Sequence, residues 1–145
     1  RVTQLEKAGA PVGIGVDGSA SNDTSNIMKE VRQAFLLQRL HQGPEVTHLT
    51  ALQWATEGGA NVLRRPEIGE IKSGMQSDLA LFKLDELRFS GYGDPLAALV
   101  ICGADRADRV MVAGKWVVID GQIPGLNLPE LKTQHHKAAI NLQTM

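Results

Sequence analysis

The sequence predicts an α/β fold, with a buried parallel strand and helices in the first part of the chain and a β-rich unit in the second. Three observations predict it. The run Pro11-Val-Gly-Ile-Gly-Val16 carries no polar side chain and stops abruptly on Asp17. A strand covered on both faces reads this way, whereas a half-wet strand alternates. Segments 26–41 and 47–57 repeat apolar residues at helical spacing. After Glu67 the texture changes to short β-like runs separated by turn residues.

Residues 1–8 read as the end of a helix, with Val2, Leu5 and Ala8 spaced along it and Gly9 as its stop. The strand spans 11–16, and its glycines permit close approach by other groups. Asp17 therefore falls at the strand's carboxyl end, where sites collect in parallel α/β folds because the flanking helices leave that end open. A polar loop follows over 18–25. Its run Ser21-Asn-Asp-Thr-Ser25 is of capping type for a helix over 26–41, which Gly43-Pro44 ends. Thr47 caps a second helix through Leu49, Leu52, Trp54 and Ala55, broken by Gly58-Gly59 before a short turn over 60–65. In the β-rich part, 78–84 is a strand. Leu99-Val-Ile-Cys102 suits a strand, while Asp94-Pro95-Leu-Ala-Ala equally suits the start of a helical turn. Segments 109–113 and 115–119 form a hairpin about Gly114, ended by Asp120-Gly121. Asn127-Leu-Pro-Glu130 opens a terminal helix over 128–143, with an N-cap and then Pro and Glu in the first turn.

The 145 residues suffice for one domain-sized core, and 43% hydrophobic with 21% charged residues is ordinary for a globular protein. There is no internal repeat and no low-complexity segment. A net charge of -1 with no basic cluster disfavours nucleic acid and anionic membranes as partners. The one cysteine, Cys102, cannot form an internal disulfide. No apolar run approaches the roughly 20 residues that span a bilayer. A cytoplasmic location is expected. The chain starts at Arg1, inside the tail of a helix and without Met, and is expected to be a piece of something longer.

Several motifs fail on context. Gly13-Ile-Gly15-Val-Asp-Gly18 matches the dinucleotide fingerprint literally, but that motif needs a helix opening on its last glycine and an acid about 20 residues further on. A polar loop and Leu-Gln-Arg stand there instead. Of the four histidines, His135 and His136 lie about 100° apart around a predicted helix, and His41 and His48 flank the Gly43-Pro44 break. Without His-x-His, His-Glu-x-x-His or Cys-x-x-Cys, this stretch cannot supply the ligands of a complete zinc site. Ser19 and Ser21 lack the Gly-x-Ser-x-Gly elbow of serine hydrolases. Asp17 remains, either as a site residue or as a turn aspartate bonding the backbone of Ser19 or Ala20.

The succession Val12-Gly-Ile-Gly-Val-Asp-Gly-Ser-Ala-Ser-Asn-Asp23, Glu30-Val-Arg-Gln-Ala-Phe35, Ala55-Thr-Glu-Gly-Gly-Ala60, Ile68-Gly-Glu-Ile-Lys-Ser-Gly74, Asp78-Leu-Ala-Leu-Phe82 and Asp94-Pro-Leu-Ala-Ala-Leu-Val100 resembles the carboxyl-terminal third of the amidohydrolase superfamily. It covers nearly the whole chain in order. Within the superfamily it is most similar to the deaminase and chlorohydrolase branch, and Asp17–Asp23 with Leu87-Arg-Phe-Ser-Gly91 resembles the group that deaminates 8-oxoguanine. Related triazine hydrolases share much of the pattern.

The resemblance implies a TIM-type barrel of eight strands with alternating helices, in which 11–16 is the last strand, plus a small β-rich domain assembled from both chain ends. Residues 1–66 would then be the last part of the barrel, 67–126 the β-rich composite segment and 127–145 a terminal helix. It further implies that Asp17 binds or faces a catalytic zinc or iron ion (Zn2+ or Fe2+) whose other ligands mostly lie outside this chain. Such a metal lowers the pKa of its water to near 7 and supplies a nucleophile for the amidine-like carbon of a purine-type ring such as 8-oxoguanine. Asp17 would take the water's proton and pass it to the departing ammonia. Ser19, Asn22 and Asp23 would shape the mouth of the pocket for a small heterocyclic substrate, or Asn22 and Asp23 would only cap the next helix.

The superfamily's His-x-His and later histidines are absent, so the chain alone is expected to be inactive. Arg64-Arg65-Pro66 stands where relatives carry Gly-Arg-Asp, and Met75-Gln76 where they carry Lys and a small residue. A lone barrel strand leaves backbone groups unpaired, at roughly 1–3 kcal/mol for each one buried. An exposed apolar face including Ile14, Val16, Phe35 and Leu36 is therefore expected, to be covered by the amino-terminal part of the same enzyme or by a second copy. The alternatives are a triazine-type amino- or chlorohydrolase, or a non-catalytic helix-plus-β interaction module in which Asp17 is a turn residue.

Overall fold

The computed structural model describes residues 2–18 and 21–144. Helix α1, Val2–Lys7, ends at Gly9, whose φ of 83° suits glycine. Helix α2, Ile27–Gln42, is capped by Asn26, whose Oδ1 accepts the Met28 and Lys29 amides, so the cap sits just beyond the predicted run 21–25. Gly43 ends it at φ 85°. Thr47 and Thr50 cap each other reciprocally at 3.2 Å to start α3, His48–Gln53.

Two sequence expectations fail here. Gly58-Gly59 does not break the second helix: α3 passes through a π turn, Trp54–Gly58, into α4, Gly59–Leu63. Both glycines are helical, with φ of -61° and -59°. Their missing side chains serve close packing instead. A Cβ on Gly58 would collide with the Val12 carbonyl oxygen, and one on Gly13 would lie 3.1 Å from the Gly59 Cα. The second failure is the strand over 11–16, which belongs to no ladder among the described residues. A strand is held by neighbouring strands, and here the neighbour is a helix that offers one carbonyl: Ile14 N–H donates to Trp54 O at 3.2 Å.

The alternative left open at 94–102 resolves as helix. Asp94 Oδ1 accepts the Leu96 and Ala97 amides at 2.8 and 3.2 Å, Pro95 takes the first position, and α5, Pro95–Ala98, runs into a π turn over Leu99–Gly103. Strands β1, Leu79–Leu81, β2, Arg109–Val112, and β3, Lys115–Val118, form an antiparallel sheet in that order, with a register shift at Val110/Met111. Ala113-Gly114 makes the predicted hairpin turn with φ of 49° and 77°, the left-handed pair that matches strand twist. Helix α6, Leu128–Gln143, begins at Asn127, whose Oδ1 accepts the Glu130 amide.

The main core gathers Met28, Val31, Phe35, Val46, Ala51, Trp54 and Val100, and a smaller one gathers Phe89, Ala98 and Ala104. Phe82 and Leu99 pack against both and join them. Phe35 is thus buried, against the expectation that it belongs to an exposed face, because α2 turns the face that carries it and Val31 into the main core; Leu36 is exposed, and Ile14 and Val16 are half-buried. No helix among the described residues is long and apolar enough to cross a membrane.

Candidate functional site

Asp17 is delivered by a backbone clamped from one side. Val12 and Ile14 pack against the main core, the Val12–Gly13 backbone lies against Gly58-Gly59, and Ile14 bonds to Trp54 at the start of the π turn. Such turns recur at functional sites, where the altered bonding frees a backbone group. Asp17 itself has φ 61°, a left-handed conformation that Asp tolerates better than most residues, and its side chain is exposed. Among the described residues no hydrogen bond or ion pair engages its carboxylate. The alternative role, bonding the backbone of Ser19 or Ala20, lies outside the described residues, as does the candidate Ser19.

The loop beyond Asp17 is tightly bonded. Gly18 O accepts the Ser21 and Asn22 amides, each at 2.9 Å, and the Ser21 hydroxyl at 3.1 Å. Asn22 is half-buried; its Oδ1 accepts the Thr24 and Ser25 amides at 2.9 and 2.6 Å, and its Nδ2 donates to Glu30 Oε1 at 3.0 Å. Asp23 is exposed. Neither residue caps α2, since Asn26 does, and Asn26 also donates from Nδ2 to Asp105 O at 2.8 Å. Arg32 Nε donates to Ile101 O at 3.0 Å. These two bonds fasten the start of α2 to the segment after α5. Sequence reasoning missed Glu30, Asn26 and Arg32; an amide at a helix start followed by an acid in the first turn was the available signal.

Among the described residues, no group of three or more His, Cys, Asp and Glu side chains converges to hold a metal ion. Asp17 offers a carboxylate that no described residue engages, a donor suited to zinc or iron as one ligand of several. It fits such an ion but cannot retain it alone. Two open clefts, of about 500 and 520 Å³, lie elsewhere: one between α2 and the π turn after α5, lined by Arg32, Ile101 and Cys102, the other between α1 and the α3–α4 rod, lined by Glu6, Trp54 and Asn61. Asp17 lines neither. The groups with clearly displaced pKa values, Glu67, Asp78, Lys83 and Asp94, also stand apart from it and serve local structure.

The sequence pattern of the amidohydrolase family matches residues 1–117. The chain is 61% identical to an 8-oxoguanine deaminase of Pseudomonas aeruginosa over 140 residues, which is 96% of this chain and 31% of that protein. An amidohydrolase from an environmental sample of the Sargasso Sea superimposes with a TM-score of 0.90 at 33% identity, over 99% of this chain and 34% of its own. An atrazine chlorohydrolase from Arthrobacter aurescens, complexed with zinc, superimposes at 0.80 with 32% identity, over 90% and 30%. The chain spans about a third of the length of the relatives it matches.

Proposed function

The chain belongs to the amidohydrolase family, and from that premise we propose that it is the carboxyl-terminal part of a metal-dependent hydrolase that deaminates a purine-like base such as 8-oxoguanine. The observation that carries this reading is the 61% identity to the Pseudomonas aeruginosa deaminase along 96% of the chain. Residues 1–66 are read as the end of a TIM-type barrel, 67–126 as a segment of the composite β domain and 127–145 as its terminal helix. In that setting 11–16 gains strand neighbours that the described residues do not supply. The amino-terminal part of the same protein is then the partner that completes the site. The exposed thiol of Cys102 suits the reducing cytoplasm.

Asp17 is assigned two roles: one ligand of a Zn2+ or Fe2+ ion, and proton carrier. When bound, such an ion would lower the pKa of a water and so supply the nucleophile. A carboxylate oxygen of Asp17 would accept one proton from the attacking water as the water's oxygen bonds to the carbon. The same carboxyl would give that proton to the exocyclic nitrogen as the carbon–nitrogen bond breaks, so that ammonia leaves, while the water's second proton passes to the ring nitrogen and a carbonyl remains. Among the described residues no hydrogen bond engages the carboxylate, which supports this role, because none of those residues is a partner it must abandon to shuttle a proton. Ser19 and Asp23 are read as shaping the pocket mouth, whereas Asn22, with its amide committed to Thr24, Ser25 and Glu30, is read as holding the turn.

A triazine-type amino- or chlorohydrolase is the second reading, favoured by the likeness to the zinc-bound atrazine chlorohydrolase. The non-catalytic interaction module loses its support with family membership. The test is ammonia release from 8-oxoguanine by the complete protein, beside chloride and amine release from chlorotriazines. Asp17→Asn keeps the shape and left-handed tolerance of the residue but removes its basicity, and is expected to lower kcat by about 1000-fold. Undiminished turnover would refute the role of Asp17; turnover of triazines in place of 8-oxoguanine would favour the second reading.

A further inference from the structure

Asp17 has no bond of its own to hold it among the described residues, yet its left-handed backbone must be kept in one place for its carboxylate to serve a reacting centre. The loop supplies one mechanical route. Gly18, directly after Asp17, has its carbonyl gripped by the Ser21 and Asn22 amides and the Ser21 hydroxyl. Asn22 then ties this turn to the next through the Thr24 and Ser25 amides, and ties both to α2 through Glu30. Glu30 lies in the first turn of α2 beside Val31, which is fully buried in the main core. A bond from an amide N–H to a carboxylate is charge-assisted and stronger than a neutral one.

We propose that Glu30 and Asn22 are a positioning pair that fixes Asp17 relative to the core. The inference rests on the role given to Asp17 above. Neither residue touches the reacting atoms; the pair acts by holding the turn. Displacing a reacting group by about 1 Å costs on the order of 100-fold in rate, so the effect belongs in kcat more than in substrate binding.

The experiment uses the complete protein, with kcat and KM for ammonia release and with amide hydrogen exchange at Thr24 and Ser25. Glu30→Ala removes the acceptor. Asn22→Asp keeps the oxygen that serves Thr24 and Ser25 but sets a second carboxylate against Glu30. Each is expected to lower kcat by about 10- to 100-fold, to change KM by less than about 3-fold, and to speed exchange at both amides. Combining Asn22→Asp with Glu30→Gln reverses donor and acceptor and is expected to restore kcat to within about 3-fold of the wild type, with slow exchange. A purely structural contact would not show this split and rescue. Folded single variants with wild-type kcat, or a double variant that fails to recover, would overturn the pair. If Asn22→Asp does not fold, Glu30→Ala against Glu30→Gln, which keeps an acceptor oxygen, decides the question on the same readouts. A wild-type protein that releases no ammonia would instead refute the proposed activity, an outcome separate from the exchange result.

Discussion

Arg64 closes the α3–α4 rod in a left-handed conformation, φ 55° and ψ 41°, with its amide bonded to Asn61 O and that of Arg65 to Ala60 O. This is the helix-ending position that glycine favours. An L-residue held in this conformation costs about 1–2 kcal/mol. Arg64→Gly is therefore expected to raise the unfolding free energy by about 1 kcal/mol in a urea titration; a fall would show that the arginine side chain contributes more than its backbone costs. Asp17 shares the left-handed shape without sharing the remedy, since removing its side chain would remove the proposed chemistry. At this scale a strained residue signifies function only where its side chain has something to do.

Among the elements, α5 shows how one carboxylate can organise a segment. The Asp94 carboxyl is held below the ordinary aspartate range first by the Ala97 amide, then by that of Leu96, with His48 Nε2 3.1 Å away but poorly aligned for a hydrogen bond. A pKa lowered by folding contributes stability that is present above the unfolded-state value and lost as pH falls through the folded one. Asparagine caps equally well without a charge. The stability of the wild type relative to Asp94→Asn is thus expected to decline through the acid range and to be flat near neutrality, read from urea midpoints across pH. A flat difference throughout would mean that the ionised carboxylate adds nothing to the cap. In the sheet, Asp78 follows the same logic: its carboxyl is lowered chiefly by the Ala113 amide at the hairpin turn, and then by Gln76.

Over the whole molecule, stability is uneven. Phe82 and Leu99 join the two cores, so the sheet and the helices support each other. Helix α6 lies outside this arrangement: none of its residues is buried, and Leu128, Leu131, Ile140 and Leu142 are 42–74% exposed. An element without buried apolar contacts opens at low free energy. Limited proteolysis of the 145-residue chain is expected to cut first between Gln122 and Asn127, leaving a product whose thermal midpoint lies within about 2 °C of the parent. Prior cleavage within α2 would overturn this order of stability.

The sequence by itself determined whatever is written in neighbouring residues. Helix α2, the hairpin at Ala113-Gly114 and helix α6 were legible because caps, turn residues and periodicity act within a few positions. Asp17 stood out for a similar reason, as an acid that ends an apolar run. Only the tertiary structure decided the rest. The same Gly58-Gly59 that reads as a helix break becomes a packing surface for Val12 and Gly13, a role set by a segment more than forty residues away. The bond from Asn26 to Asp105 joins residues 79 apart in sequence, and even the Asn22–Glu30 pair spans a turn whose course no local rule fixes. Local chemistry is sampled wherever the chain goes, but an approach between distant backbones exists only once a core has fixed where both of them lie.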